Sequence, residues 1–114
     1  MLEKFEFKVH RADLSSTPNW LYQTLWSINS PTFKKFIISV SNCSSAANLR
    51  AAMNGGGWGS FDAYIYVLIK SQSSFRVLFR VGFGDNEEYV VINLLRERFP
   101  LASNEGILKV ERVL

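Results

Sequence analysis

The chain has 114 residues, 47% of them hydrophobic and 14% aromatic, with 13 basic and 10 acidic side chains for a net charge of +3. That is material for one domain, 1–114, with a dense core, and it excludes a disordered chain. The longest apolar run, Tyr64 to Ile69, falls far short of the about 20 residues of a membrane span, and no basic run exceeds Lys34-Lys35, which leaves at most a weak nucleic-acid binder.

In chain order, Leu2 to His10 alternates, with Phe5, Phe7 and Val9 on one face and Lys4, Glu6, Lys8 and His10 on the other. This is the pattern of a strand with one buried face. Ser15-Ser16-Thr17-Pro18 then reads as a helix start, a hydroxyl cap followed by proline. Leu21, Leu25 and Ile28 continue at helical spacing until Pro31, because the residue before a proline avoids the helical region. Phe36 to Val40 is a second strand.

Ser44 or Ser45 opens a short helix, Ala46 to Met53, followed by the glycine-rich loop Asn54 to Ser60, a flexible tether. The segment 61–70 carries two readings. Phe61, Ile65, Leu68 and Ile69 form a helix stripe, whereas Tyr64-Ile65-Tyr66-Val67 has strand-like content that would make a β-hairpin over 63–83 in an α+β fold. Equivalence with Leu21 to Ser30 favours the helix. Phe75 to Phe83 is the clearest strand, Glu87 and Glu88 suit the start of the next helix, Pro100 ends that helix, and Ile107 to Val113 is the last strand.

One spacing recurs through these strands: Leu2-x-x-Phe5-x-Phe7-x-Val9, Phe33-x-x-Phe36-x-Ile38-x-Val40, Arg76-x-x-Phe79-x-Val81-x-Phe83 and the shorter Glu105-x-x-Leu108-x-Val110. Phe5, Phe36, Phe79 and Leu108 are 31, 43 and 29 residues apart, the self-similarity of a stacked repeat. The expected fold is α/β, a short β-α-β-α-β-α-β solenoid with a parallel sheet and one inserted helix. Aligning those four residues places Glu6, Ile37, Arg80 and Lys109 in one outward row. Lys4, Lys35, Leu78 and Ile107 lie on one side of it, and Lys8, Ser39, Gly82 and Glu111 on the other.

This pattern resembles leucine-rich repeats. More narrowly, Trp58-Gly59-Ser60-Phe61-Asp62 and Leu95-Arg96-Glu97-Arg98-Phe99-Pro100-Leu101, followed by Gly106-Ile107-Leu108-Lys109-Val110, resemble the C-terminal regions of fungal (basidiomycete) F-box-related and uncharacterised proteins. The chain departs from the repeat pattern where His10, Ser41 and Gly84 stand at the asparagine position, and it contains no F-box. The resemblance implies a recognition or scaffold fragment without ligase activity of its own.

Other candidate sites carry bland readings. The glycines 55–57 follow a helix, whereas a phosphate cradle needs a strand before them. His10, Arg11 and Asp13 lack a nucleophile or second carboxylate at usable spacing. Cys43 is the only cysteine and His10 the only histidine, so neither a disulfide nor a metal site is expected. A lone thiol fits an intracellular protein, cytoplasmic or nuclear. Trp20 and Trp26 fall on different helix faces, which leaves one of them as a candidate contact residue.

These features favour a protein–protein interaction or scaffold module with no catalytic residues and no cofactor. It would bind through Lys4, Glu6, Lys8, Lys35, Ile37, Leu78, Arg80 and Lys109, with a protein partner or a second copy of itself. Terminal strands without caps point to a homodimer joined along one of them. The alternative is a small enzyme or ligand-binding domain with its site at the strand C-terminal edge, around His10, Asn42, Cys43 and Asp85.

Overall fold

A computed structural model describes residues 4–16, 21, 23, 34–54, 57–71 and 75–113. Its core is a four-stranded sheet in the order β1 (Lys4–His10), β2 (Lys35–Ser41), β3 (Arg76–Val81) and β4 (Leu108–Arg112), parallel throughout. Between the strands lie a 3-10 turn (Arg11–Ser16) and helices α1 (Ala46–Ala52), α2 (Trp58–Ser71), α3 (Glu88–Arg98) and α4 (Pro100–Asn104). The helix expected after Pro18 falls mostly outside the described residues, though Leu21 is fully buried. Trp20, Trp26, Gly55 and Gly56 also lie outside them.

The segment 61–70 is helical throughout, inside α2, so no β-hairpin forms over 63–83. Its apolar stripe decides the matter: Phe61 and Ile65 are fully buried, and Leu68 and Ile69 pack against the same core. Burying a stripe of this kind outweighs the strand propensity of Tyr64 to Val67.

Strand pairing aligns Phe5 with Phe36, Phe36 with Val77, and Val77 with Leu108. The row expected through Phe79 is therefore displaced by two residues: Phe79 pairs with Ile38 and Val110 instead. Register-equivalent positions are 31, 41 and 31 residues apart, so the two outer steps are equal and the middle one is ten longer. The excess falls where α1 and the glycine-rich segment stand, and the loop expected over Asn54 to Ser60 is shorter than that, because Trp58, Gly59 and Ser60 already belong to α2. Phe36 and Phe79 are fully buried, while Phe5 and Leu108, on the edge strands, are only partly so.

The helices cover the face made by Phe7, Val9, Phe36, Ile38, Val40, Val77, Phe79 and Val81. At its centre four rings meet edge to face or tilted: Phe99 lies 5.5 Å from Trp58, 5.6 Å from Phe79 and 6.0 Å from Phe61. Asp62, one turn into α2 and 1% exposed, accepts hydrogen bonds from the backbone N–H groups of Leu101 (3.0 Å) and Ala102 (2.9 Å). It caps α4 from another helix, supplying acceptors that the first turn lacks. Pro100 does more than end α3. Proline also suits the first position of a helix, and α4 begins on it.

Phe79→Ala is expected to lower unfolding free energy by about 3–5 kcal/mol, since it empties a fully buried ring site. Urea titration followed by tryptophan fluorescence would measure it, and an unchanged midpoint would contradict this core.

Candidate functional site

The face of the sheet turned away from this core is polar. Its rows, corrected for register, are Lys4–Lys35–Arg76, Glu6–Ile37–Leu78–Lys109 and Lys8–Ser39–Arg80–Glu111. All eight residues expected to bind a partner lie on this one face. Lys4, Lys8, Lys35 and Lys109 are exposed, and Glu6 and Arg80 half-buried. Ile37 and Leu78, expected among the residues that bind a partner, are not accessible to one. Ile37 is fully buried and Leu78 is 8% exposed, because they are register neighbours on the two central strands, set between the longer side chains of Glu6 and Lys109.

A polar ladder crosses this face. Ser39 Oγ donates to Glu6 Oε2 at 2.8 Å, Arg80 Nη1 donates to the same oxygen at 3.5 Å, and Arg80 Nε lies 3.3 Å from Glu111 Oε1. The last contact is an ion pair without hydrogen-bond alignment, so Nε has no hydrogen-bond partner. One guanidinium thus links the two edge strands, β1 and β4. Pairs this exposed contribute little energy; what the ladder fixes is the placement of charge. The Ser39 hydroxyl, and after it the cations Lys8, Arg80 and Lys4, hold the Glu6 carboxyl below its ordinary value against the opposing effect of burial.

A second feature lies at the C-terminal edge of the strands, where open parallel sheets commonly bind ligands. A crevice of about 430 Å³ opens there between Ser41, Asn42, Cys43, Gly82 and Arg112. Asn42 takes a left-handed conformation, φ 58°, which asparagine tolerates better than most residues. A Cβ on Gly82 would collide with the Cys43 carbonyl oxygen, so only glycine lets the two segments approach. Of the four residues expected in a site here, Asn42 and Cys43 line the crevice; His10 and Asp85 do not.

The reactive groups near this edge are engaged in structure. His10 Nδ1 accepts from the Ala12 N–H at 3.0 Å, and Arg11 Nε donates to the Asn42 carbonyl at 2.9 Å. Arg112 donates from Nε to the Phe83 carbonyl at 2.9 Å and from Nη2 to Asp85 Oδ1 at 2.7 Å. Cys43 Sγ donates to the Ser45 carbonyl at 3.6 Å, and burial pushes its thiol above the ordinary range, the opposite of an activated nucleophile. Among the described residues, no three His, Cys, Asp or Glu side chains gather as a metal site, and no helix is long and apolar enough to cross a membrane.

Sequence reasoning missed Glu87. Its Oε1 accepts from the Gly84 N–H at 2.7 Å and the Ala46 N–H at 3.2 Å, which ties the β3–α3 loop to the start of α1. The acid-rich start of α3 was legible, but the turn back toward α1 depends on a contact 41 residues away. Comparison with protein-family models, curated proteins and solved structures returns no match to this chain.

The lowered Glu6 pKa sets a pH dependence. A carboxyl depressed in the folded state contributes fully above its ordinary value of 4.5, and that contribution is lost as pH falls through the lower folded value. Wild type is therefore expected to lose more stability than Glu6→Gln on acidification, the two urea midpoints converging as pH drops from about 6 toward 3. Parallel profiles would show that the ladder places no demand on the Glu6 charge.

Proposed function

We propose that this chain is a non-catalytic protein–protein interaction module, a short leucine-rich-repeat-like stack that presents the polar face and the edges of its sheet to partners. The observation that carries this reading is the division of the sheet: helices and aromatic rings fill one face, and an ordered array of exposed lysines occupies the other. Equal 31-residue steps on either side of the middle one support the repeat. So does Ser41, at a position where repeat proteins carry asparagine: its hydroxyl donates to the Val9 carbonyl of the neighbouring strand at 3.4 Å. The resemblance to fungal F-box-related C-terminal regions points the same way, and a half-buried unpaired thiol suits an intracellular setting.

The crevice at the strand C-terminal edge favours a second reading, a small-ligand site. Its two most reactive groups, Cys43 and Arg112, already have partners within the chain, which makes the sheet face the better supported surface.

A photo-crosslinking residue placed at Lys8 or Lys109 is expected to give protein adducts in native lysate. The same residue at Ala63, exposed on α2, is expected to give none. Adducts from Ala63 alone, or from no position, would defeat the interaction-face reading.

Self-association belongs to the same proposal. β4 has no outer strand partner among the described residues, and free edges invite pairing. A two-fold antiparallel contact centred on Val110 would set Lys109 of one copy against Glu111 of the other, as an isologous interface requires. Light scattering at micromolar concentration should then give twice the chain mass, with Lys109→Glu returning a monomer; a wild-type monomer at every concentration would refute the dimer.

A further inference from the structure

We infer that the row Lys4–Lys35–Arg76 is a recognition site for an acidic polypeptide segment, presented as a helix with carboxylates on one face. This rests on the interaction-module reading and names its partner's chemistry. Among the described residues, six cations of the polar face, Lys4, Lys8, Lys35, Arg76, Arg80 and Lys109, oppose two carboxylates, Glu6 and Glu111. That excess of four is larger than the net charge of +3 for the whole chain, so the rest of the protein is slightly acidic and the basic character is concentrated here.

The charge is also unevenly relieved. Arg80 is held between Glu6 and Glu111, which neutralises the middle of the face. Arg76 Nη1 donates to the Phe75 carbonyl at 2.7 Å, whereas Lys4 and Lys35 have no such arrangement among the described residues. Lys4 and Lys35 are direct register partners, Lys35 and Arg76 likewise, and neither lysine has an ion pair among the described residues. The nearest carboxylate on the face, Glu6, has its Oε2 bonded to Ser39 and Arg80. Like charges set directly opposite on adjacent strands are unfavourable, and an anionic partner laid across them removes that cost.

Spacing identifies the partner. Adjacent strands are about 4.8 Å apart, close to the about 5–6 Å between residues three and four apart on a helix surface. Carboxylates at that helical interval, on a helix crossing the strands, would meet successive cations of the row. Nucleic acid fits less well. Among the described residues the polar face carries no aromatic side chain on which a base could stack, and Glu6 and Glu111 interrupt any longer phosphate track.

The test uses a fluorescein-labelled helical peptide of about 16 residues, alanine-rich with glutamate every third or fourth position, and reads anisotropy with the full chain. Wild type should bind in a salt-dependent manner, and Lys4→Arg/Lys35→Arg should bind comparably. Lys4→Glu/Lys35→Glu should weaken binding at least about tenfold, with an unchanged urea midpoint showing that it is folded. An indifferent double reversal, equal loss on reversing Lys8 and Lys109 instead, or tighter binding of a single-stranded oligonucleotide or phosphatidylserine vesicles would each overturn the assignment. Protein adducts from Lys8 and Lys109 beside an unbound glutamate peptide would remove the acidic partner and leave the interaction face standing. Absence of all adducts is the separate failure of the broader reading.

Discussion

The architecture depends on one buried contact, the Asp62 carboxylate on the start of α4. A carboxylate 1% exposed is costly unless its oxygens are satisfied, and each one accepts a backbone N–H, from Leu101 and Ala102. Pro100, with no N–H to offer, occupies the position before them. The contact fixes α2 against α4, and it fixes where Phe99 enters the core, because Phe99 is the residue between the end of α3 and that proline. From there Gly106, in a left-handed conformation (φ 68°), turns the chain, Ile107 is buried, and β4 begins in register with β3. The segments Trp58–Asp62 and Leu95–Leu101 are thus the two halves of one packing unit.

The faces of the strands were legible, except that Ile107, expected in the outward row, is buried in the core just before β4 begins; the register was not, for a single reason. Side-chain alternation has a period of two, so a slip of one residue exchanges the faces whereas a slip of two leaves them unchanged. Phe75, Val77, Phe79, Val81 and Phe83 satisfy the repeated spacing in more than one frame. In the frame through Phe79, Arg80 falls beside Ile37; in the protein's own frame, through Val77, Leu78 does. The eight outward residues survived that error as a set, while the rows in which they meet did not. The Glu6–Ser39–Arg80–Glu111 ladder exists only in the observed register, which sets Ser39 beside Arg80 and Arg80 beside Glu111. Nor could burial of Ile37 be read from alternation, since it depends on central strand position more than on face.

Other features lay beyond local pattern. α4 is five residues long, too short for periodicity to announce. The cap at the start of α1 was legible as Ser44 or Ser45; Ser45 supplies it, accepting from the Asn48 N–H at 3.1 Å, with Asn48 Oδ1 returning toward Ser44. Glu87 then adds a carboxylate at the same helix start from a loop far along the chain. α1 is in this way joined to the β3–α3 loop, and is more than a spacer between strands.

The unequal steps between strands bear on how the sheet is assembled. Every neighbour pair is parallel, so no two strands are joined by a tight turn, and each pairing closes 31 or 41 residues of chain. Loop-closure entropy rises only with the logarithm of length, so the ten extra residues of the middle step cost about 0.2 kcal/mol. The three closures are therefore nearly equal in chain entropy, and the order in which they form is left to the helices. The Asp62 cap and the Phe99 rings join α2, β3 and α4. This half of the molecule is consequently where folding would begin, with β1 added last at the far edge, at the slow rates typical of non-local parallel pairing.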